Sequence, residues 1–204
     1  MDKKKYKIYD ISELPKLLHL SADKINVNKK FIDKEQYIHL KPRCMWYSYK
    51  LQWTRFSNTF RYNYEIKFKD DKLYLPKKLY LYKVSFLSKP IRINYFLNEL
   101  HEPKYDHILV MTKLQEIIEF TKIFSVREKK EIKEGETNWN FIDYPRLTKL
   151  CGGFLILRYK KIRNQLKELI NKDNEKLIYF LWFFSLDISG GCIWNHDIYK
   201  LTLL

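Results

Sequence analysis

The sequence predicts an α+β domain in which sheet pairing dominates, and three observations carry this. Short alternating or apolar runs of strand length recur along the chain, about seven in all. Two stretches, Lys113–Phe124 and Tyr159–Ile170, keep a helical period over three turns. Glycine is scarce, five in 204 residues, and four of the five form the pairs Gly152-Gly153 and Gly190-Gly191 beside buried runs. Glycine used so sparingly marks places where the backbone bends or is closely approached.

The elements follow in order. Residues 1–7 are a basic arm, and Leu17-Leu18-His19-Leu20-Ser21 reads as a short strand with an inward histidine, the alternative being a helical turn opened by Ser12 and Pro15. Tyr37-Ile38-His39-Leu40 is a second strand, stopped by Pro42, which cannot donate to a ladder. Cys44 to Tyr49 is the densest aromatic point of the first half. Tyr64 to Phe68 and Leu73 to Leu75 make a hairpin across Asp70-Asp71. Leu79 to Phe86 alternates, with Tyr80, Tyr82, Val84 and Phe86 on one face, and a short helix lies around Asn94–Leu100.

Ile108 to Met111 is a compact buried strand. Thr112, three residues before Gln115, supplies a capping box for the helix that follows. Trp139–Leu150 is a short interrupted helix around Pro145, and Phe154 to Leu157 is another buried strand. Tyr159–Ile170 is amphipathic, with Lys160, Lys161, Arg163 and Lys167 opposite its apolar face. Leu177–Leu186 is apolar at nearly every position, as a strand covered on both faces would be, and ends at Asp187 and the second glycine pair.

Composition narrows the partners. Lys and Arg number 39 against 24 Asp and Glu, a net charge of +15, and the excess is uneven. Residues 1–100 hold 22 basic and 10 acidic groups, residues 101–204 hold 17 and 14. Such a first half suits an anionic partner: nucleic acid, a phosphorylated small molecule or an acidic protein. Three widely spaced cysteines, Cys44, Cys151 and Cys192, make no disulfide framework and fit a reducing, cytoplasmic compartment. No Cys-x-x-Cys pair exists and the five histidines are scattered, so no zinc site is expected. The first residues lack the apolar core of a signal peptide, and the Leu177–Leu186 run is about half a membrane span. Phosphate-loop, dinucleotide-fold and nucleophile-elbow motifs are absent. Aromatics interleaved with cations, Trp46, Tyr47 and Trp53 among Lys50 and Arg55, suit base stacking with phosphate contact, as does the basic helix face of Lys160, Lys161 and Arg163.

Four segments carry a resemblance. They are Leu40 to Ser48 with Trp53, Ile108–Thr112 with its helix, Trp139 through Phe154, and Asp187 through Asn195. Together they resemble a group of viral and phage proteins with Lys-Pro-x-Gly-Leu-Trp-Tyr-Ser and Ser-Gly-Cys-Ile-Trp motifs. Their order is similar to the ADP-ribosyltransferase fold. The resemblance implies one domain over residues 1–204, with a split, mixed but mainly antiparallel sheet and a few flanking helices. It implies NAD as substrate, with His19, Tyr47 and Asp187 as catalytic residues. His39, Lys41, Arg43, Trp46 and Ser48 would bind the cofactor, His39 being the alternative to His19. A carboxylate beside the breaking nicotinamide–ribose bond would stabilise the developing positive charge.

The departures are Cys44 where the motif has glycine and the lack of any glutamate in 185–195, where Asp187 is the only acid. The sequence therefore supports two functional expectations. One is a viral ADP-ribosyltransferase-like protein in the host cytoplasm or virion that modifies a protein or nucleic acid, active or degenerate. The other is a non-catalytic basic protein that binds nucleic acid or a host protein. Neither involves a membrane or a metal, and both leave the oligomeric state open.

Overall fold

The computed structural model describes residues 5–27, 38–39, 41–42, 44–55, 66–98, 102–127, 140–171 and 174–204. The strands are β1 (Tyr6–Asp10), β2 (Leu17–Ser21), β3 (Ile38–His39), β4 (Met45–Tyr49), β5 (Lys67–Lys69), β6 (Lys72–Pro76) and β7 (Tyr80–Phe86). They continue with β8 (Pro90–Arg92), β9 (Lys104–Met111), β10 (Ser125–Arg127), β11 (Asn140–Asp143), β12 (Cys151–Ile156), β13 (Gly190–Ile193) and β14 (Tyr199–Leu203). The helices are α1 (Ile93–Asn98), α2 (Leu114–Phe124), α3 (Tyr144–Leu147), α4 (Tyr159–Ile170) and α5 (Leu181–Phe184), the last preceded by a 3-10 segment at Asn174–Phe180.

The architecture is α+β, with a curled, mainly antiparallel sheet of eight strands in the order β14-β7-β2-β4-β13-β12-β9-β8. Among the described strands, only β12–β9 and β9–β8 are parallel. Two small antiparallel sheets, β1-β6-β5 and β10-β11-β3, complete the fold. Alternation along each strand sorts the side chains to two faces. One face sends Leu109, Phe154, Ile156 and Cys192 against α2, α4 and α5. The other gathers Met45, Tyr47, Tyr82, Val84, Val110 and Ile193. A third core, with Leu18, Leu73, Leu75 and Leu81, lies under the β1-β6-β5 sheet.

The face predicted for residues 79–86 is the one observed, since Tyr82 and Val84 are buried together with Tyr80 and Phe86 packed beside them. Helix α4 spans the residues its period indicated and buries Tyr159, Ile162, Leu166 and Ile170. The cap of α2 is one residue further on than expected. Glu116, rather than Gln115, accepts from the backbone N–H groups of Lys113 and Thr112. Arg92 meets the same carboxylate at 3.5 Å, which compensates its burial. The interrupted helix at 139–150 divides into strand β11 and the single turn α3; Trp139 lies outside the described residues. Tyr6 and Lys7 of the expected basic arm are the start of β1, paired with Pro76 and Leu75.

The largest correction concerns Leu177–Leu186, which is helical, not a central strand. Leu177 and Tyr179 are 42% and 44% exposed, while Phe180, Trp182, Phe183 and Leu186 are buried. That is one-sided burial at helical spacing, whereas a doubly covered strand would hide every position. A short apolar run without alternation looks the same in both geometries, which is why the sequence misleads here.

Candidate nucleic-acid interface

The three residues expected to be catalytic lie on or just before three neighbouring strands. His19 is on β2 and Tyr47 on β4, and the Leu18–Ser48 pairing places the two side by side on the same face. Asp187 precedes β13, the strand on the other side of β4. His39 pairs with Ile142 in a different sheet, so the neighbour of Tyr47 is His19.

Their polar atoms are engaged within the fold. The His19 ring nitrogen Nδ1 lies 2.5 Å from the Trp46 carbonyl oxygen; a carbonyl only accepts, so Nδ1 carries the proton. The Tyr47 hydroxyl donates to the Phe154 carbonyl at 2.8 Å and is buried, which pushes its pKa well above 10. Gly191 explains this reach. Tyr47 pairs with Gly191 across the strands. A side-chain carbon on Gly191 would collide with the Phe154 carbonyl and sit 2.8 Å from the Tyr47 hydroxyl oxygen. The ring occupies space that only glycine leaves. The hollow shared by Trp46, Tyr47, Trp53 and Gly190 measures ≈ 20 Å³, room for about one water and far less than a nicotinamide ring needs.

Asp187 is exposed, with φ 67. It sits just past α5, where the chain leaves the helix through a left-handed residue. Burial raises the Tyr159 hydroxyl of α4 to about 12, against the pull of the Arg163 guanidinium, with the charge of Asp187 a smaller contribution. Aspartate tolerates this backbone region and glycine prefers it. Asp187→Gly is accordingly expected to be as stable as the parent or more so, by up to about 1 kcal/mol. Chemical denaturation checks this, and a loss of stability on Asp187→Gly would assign the carboxylate a structural role of its own.

The other candidates scatter. Ser48 is buried and donates to the Lys50 carbonyl. Trp46 packs edge-on against Phe154 under the helices, and Trp53 is half-buried beside it. Lys41 is half-buried ahead of β4, and Arg43 lies outside the described residues. Lys160 and Lys161 are exposed on α4 and Arg163 is half-buried. Burial pushes all three thiols up, Cys151 to about 12, so they are neutral near pH 7. Among the described residues no cluster of three His, Cys, Asp or Glu could hold a metal ion, and no helix is long and apolar enough to cross a membrane.

His19 also predicts a pH response. Burial lowers its pKa below 6.5, partly offset by the bond to Trp46. The folded state therefore holds the neutral ring where the unfolded chain begins to take up a proton. Its contribution is intact above the unfolded pKa and is lost as pH falls below about 6.5. A melting temperature that falls between pH 7 and pH 5, and falls less in His19→Gln, is the expected result; identical falls in both proteins would sink the assignment.

The surface that stands out is one the sequence did not single out. In β1-β6-β5 the inward positions Tyr9, Phe68, Leu73 and Leu75 fill the third core. The Tyr9 hydroxyl bonds the Leu204 carbonyl at 3.0 Å, which fixes the sheet to the end of β14. The outward positions, set by the register, are Tyr6, Ile8, Lys67, Lys69, Lys72, Tyr74 and Asp10. Tyr6 and Tyr74 meet edge to face at 6.5 Å, and the Lys67 ammonium lies 5.8 Å from the Tyr6 ring centre. Ile8, directly opposite Tyr74, is 40% exposed. Lys69 stands directly opposite Lys72, a like-charged pair that costs stability by itself. Two acids border this face: Asp10, opposite Lys72 on the other side, and Asp70 in the hairpin turn, whose carboxylate lies 4.0 Å from the Lys69 ammonium. The signal in the sequence was Tyr74 at an outward hairpin position, where a solvated strand carries polar residues. Its partner Tyr6, 68 residues away, shows only once β1 is paired.

Compared with protein-family models, with curated proteins and with solved structures, the chain matches none of them.

Proposed function

We propose that this protein binds single-stranded nucleic acid without catalysis, using the outer face of the β1-β6-β5 sheet. One observation carries the reading: an exposed sheet face on which two tyrosines are flanked by Lys67, Lys69 and Lys72. Bases stack on aromatic rings in any sequence, and lysines beside them meet the phosphates. The sheet is short and anchored through its inner face, so the rings are held in place before a strand arrives. The excess charge of the first half of the chain supplies long-range attraction. Binding of a fluorescent oligonucleotide, titrated at several salt concentrations, tests this. Affinity that falls steeply with salt supports it, and affinity indifferent to salt removes it.

A second reading, NAD-dependent ADP-ribosyl transfer, has one observation in its favour, the adjacency of β2, β4 and β13. It requires Tyr47 to leave the Phe154 carbonyl and a space wider than the present hollow to open beside it. Stabilisation by millimolar NAD⁺, with release of nicotinamide, would revive this reading; absence of both ends it.

A further inference from the structure

We infer that a groove at the edge of the same small sheet is a separate site for the phosphate end of a nucleotide. The groove, ≈ 600 Å³, runs between the turn after β1 and the helical turn at residues 52–55. That volume lies within the range of small-ligand sites, about 300–1,000 Å³. Its floor is apolar, from Leu14, Pro15 and the buried Leu51. Its charged lining is Lys16, Lys50 and Arg55, and among the described residues no acid lines it.

Two features indicate that these cations are placed for an anion. One residue beyond the Leu17–Tyr49 pair, the Lys50 N–H donates to the Lys16 carbonyl at 2.5 Å. That bond ties the two lysine backbones together at the end of the β2–β4 ladder, so both residues border the groove, with the Lys50 ammonium 5.8 Å from the Tyr49 ring centre. Lys50 also has φ 55, the left-handed region where a side chain is strained and glycine is not. The fold therefore keeps a lysine where glycine would be the more stable residue. Gln52 completes the lining. Its Oε1 accepts from the Ser189 N–H at 2.8 Å, which leaves its amide N–H groups as donors. Two ammonium groups, a guanidinium and an amide match the oxygens of a phosphomonoester. The apolar floor suits the flat face of a base or the edge of a ribose.

The choice of a nucleotide as the ligand rests on the single-strand reading; the presence of an anion site does not. The source is either the 5′ end of a bound strand or a free mononucleotide. The test compares a 5′-phosphorylated oligothymidylate with its 5′-hydroxyl counterpart, and thymidine 5′-monophosphate alone, against the whole chain. The parent is expected to prefer the phosphorylated strand roughly tenfold. Lys50→Gly should abolish that preference while the melting temperature holds or rises, so loss of fold cannot explain the loss. Lys160→Gln, which removes the same charge from α4, should keep the preference. Tyr6→Ala/Tyr74→Ala should weaken both strands equally and keep it too.

Displacement of the strand's advantage by the mononucleotide identifies a free-nucleotide site; no displacement identifies a strand-end site. If neither strand binds, the sheet-face reading fails. The groove then stands only on a melting-temperature rise with thymidine 5′-monophosphate that Lys50→Gly abolishes. Equal affinity for the two strands in the parent, or a preference that survives Lys50→Gly, overturns the inference.

Discussion

Replacing Tyr6 and Tyr74 together with alanine is expected to weaken single-strand binding by about 2 kcal/mol or more, roughly thirtyfold, since each stacked base contributes about 1–3 kcal/mol. The rings are half-buried and face outward, while the core beneath is made by Leu73, Leu75, Phe68 and Tyr9. The double variant should therefore stay folded, with a stability change of about 1 kcal/mol or less. Tyr6→Phe/Tyr74→Phe keeps both π-faces and should bind like the parent, which separates stacking from hydroxyl chemistry. Parent-like affinity in the alanine variant would show that the strand lies elsewhere. A tenfold loss in the phenylalanine variant would show that the hydroxyls, not the rings, make the contact.

The lysines act differently from the rings, because phosphate contacts release counterions while stacking does not. Removing Lys67, Lys69 and Lys72 should lower the salt dependence, by a slope of about 0.7 per contact on a single strand. Removing the tyrosines should lower affinity at every salt concentration and leave the slope alone. The two kinds of variant thus separate the two halves of the reading in one titration.

What the sequence made legible follows from how local each signal is. Helix α4 needs only its own period, and its predicted span is the observed one. The alternation of residues 79–86 likewise needs only β7. Gly191 was legible as a place of close approach, but what approaches it, the Tyr47 ring reaching for Phe154, depends on a pairing across 144 residues. Asp187 attracted a catalytic reading because it is the only acid near the glycine pair. Its backbone angle and exposure make it first of all the residue on which the chain leaves α5. The candidate interface was hidden for the same reason as Gly191's partner. Tyr6, Lys67 and Tyr74 share a face only when β1 joins the hairpin.

Trp182→Ala is expected to cost about 3–5 kcal/mol, a large part of the roughly 5–15 kcal/mol that holds a domain folded. The side chain is fully buried, with its ring 4.8 Å from Phe120, and its indole N–H donates to the Thr121 hydroxyl at 3.0 Å. Truncation therefore opens a cavity between α5 and α2 and removes a buried hydrogen bond. The Thr121 hydroxyl also donates to the Ile117 carbonyl, so Trp182→Phe leaves no orphaned donor on α2 and should cost only about 1–2 kcal/mol. The same measurements test the helical geometry of the aromatic run. In a strand covered on both faces, Leu177 and Tyr179 would be as costly to replace as Trp182. On the outer side of a 3-10 segment they are exposed, so Leu177→Gln and Tyr179→Gln should each fall within about 0.5 kcal/mol of the parent. A cost at Leu177 equal to that at Trp182 would put the run back inside the sheet.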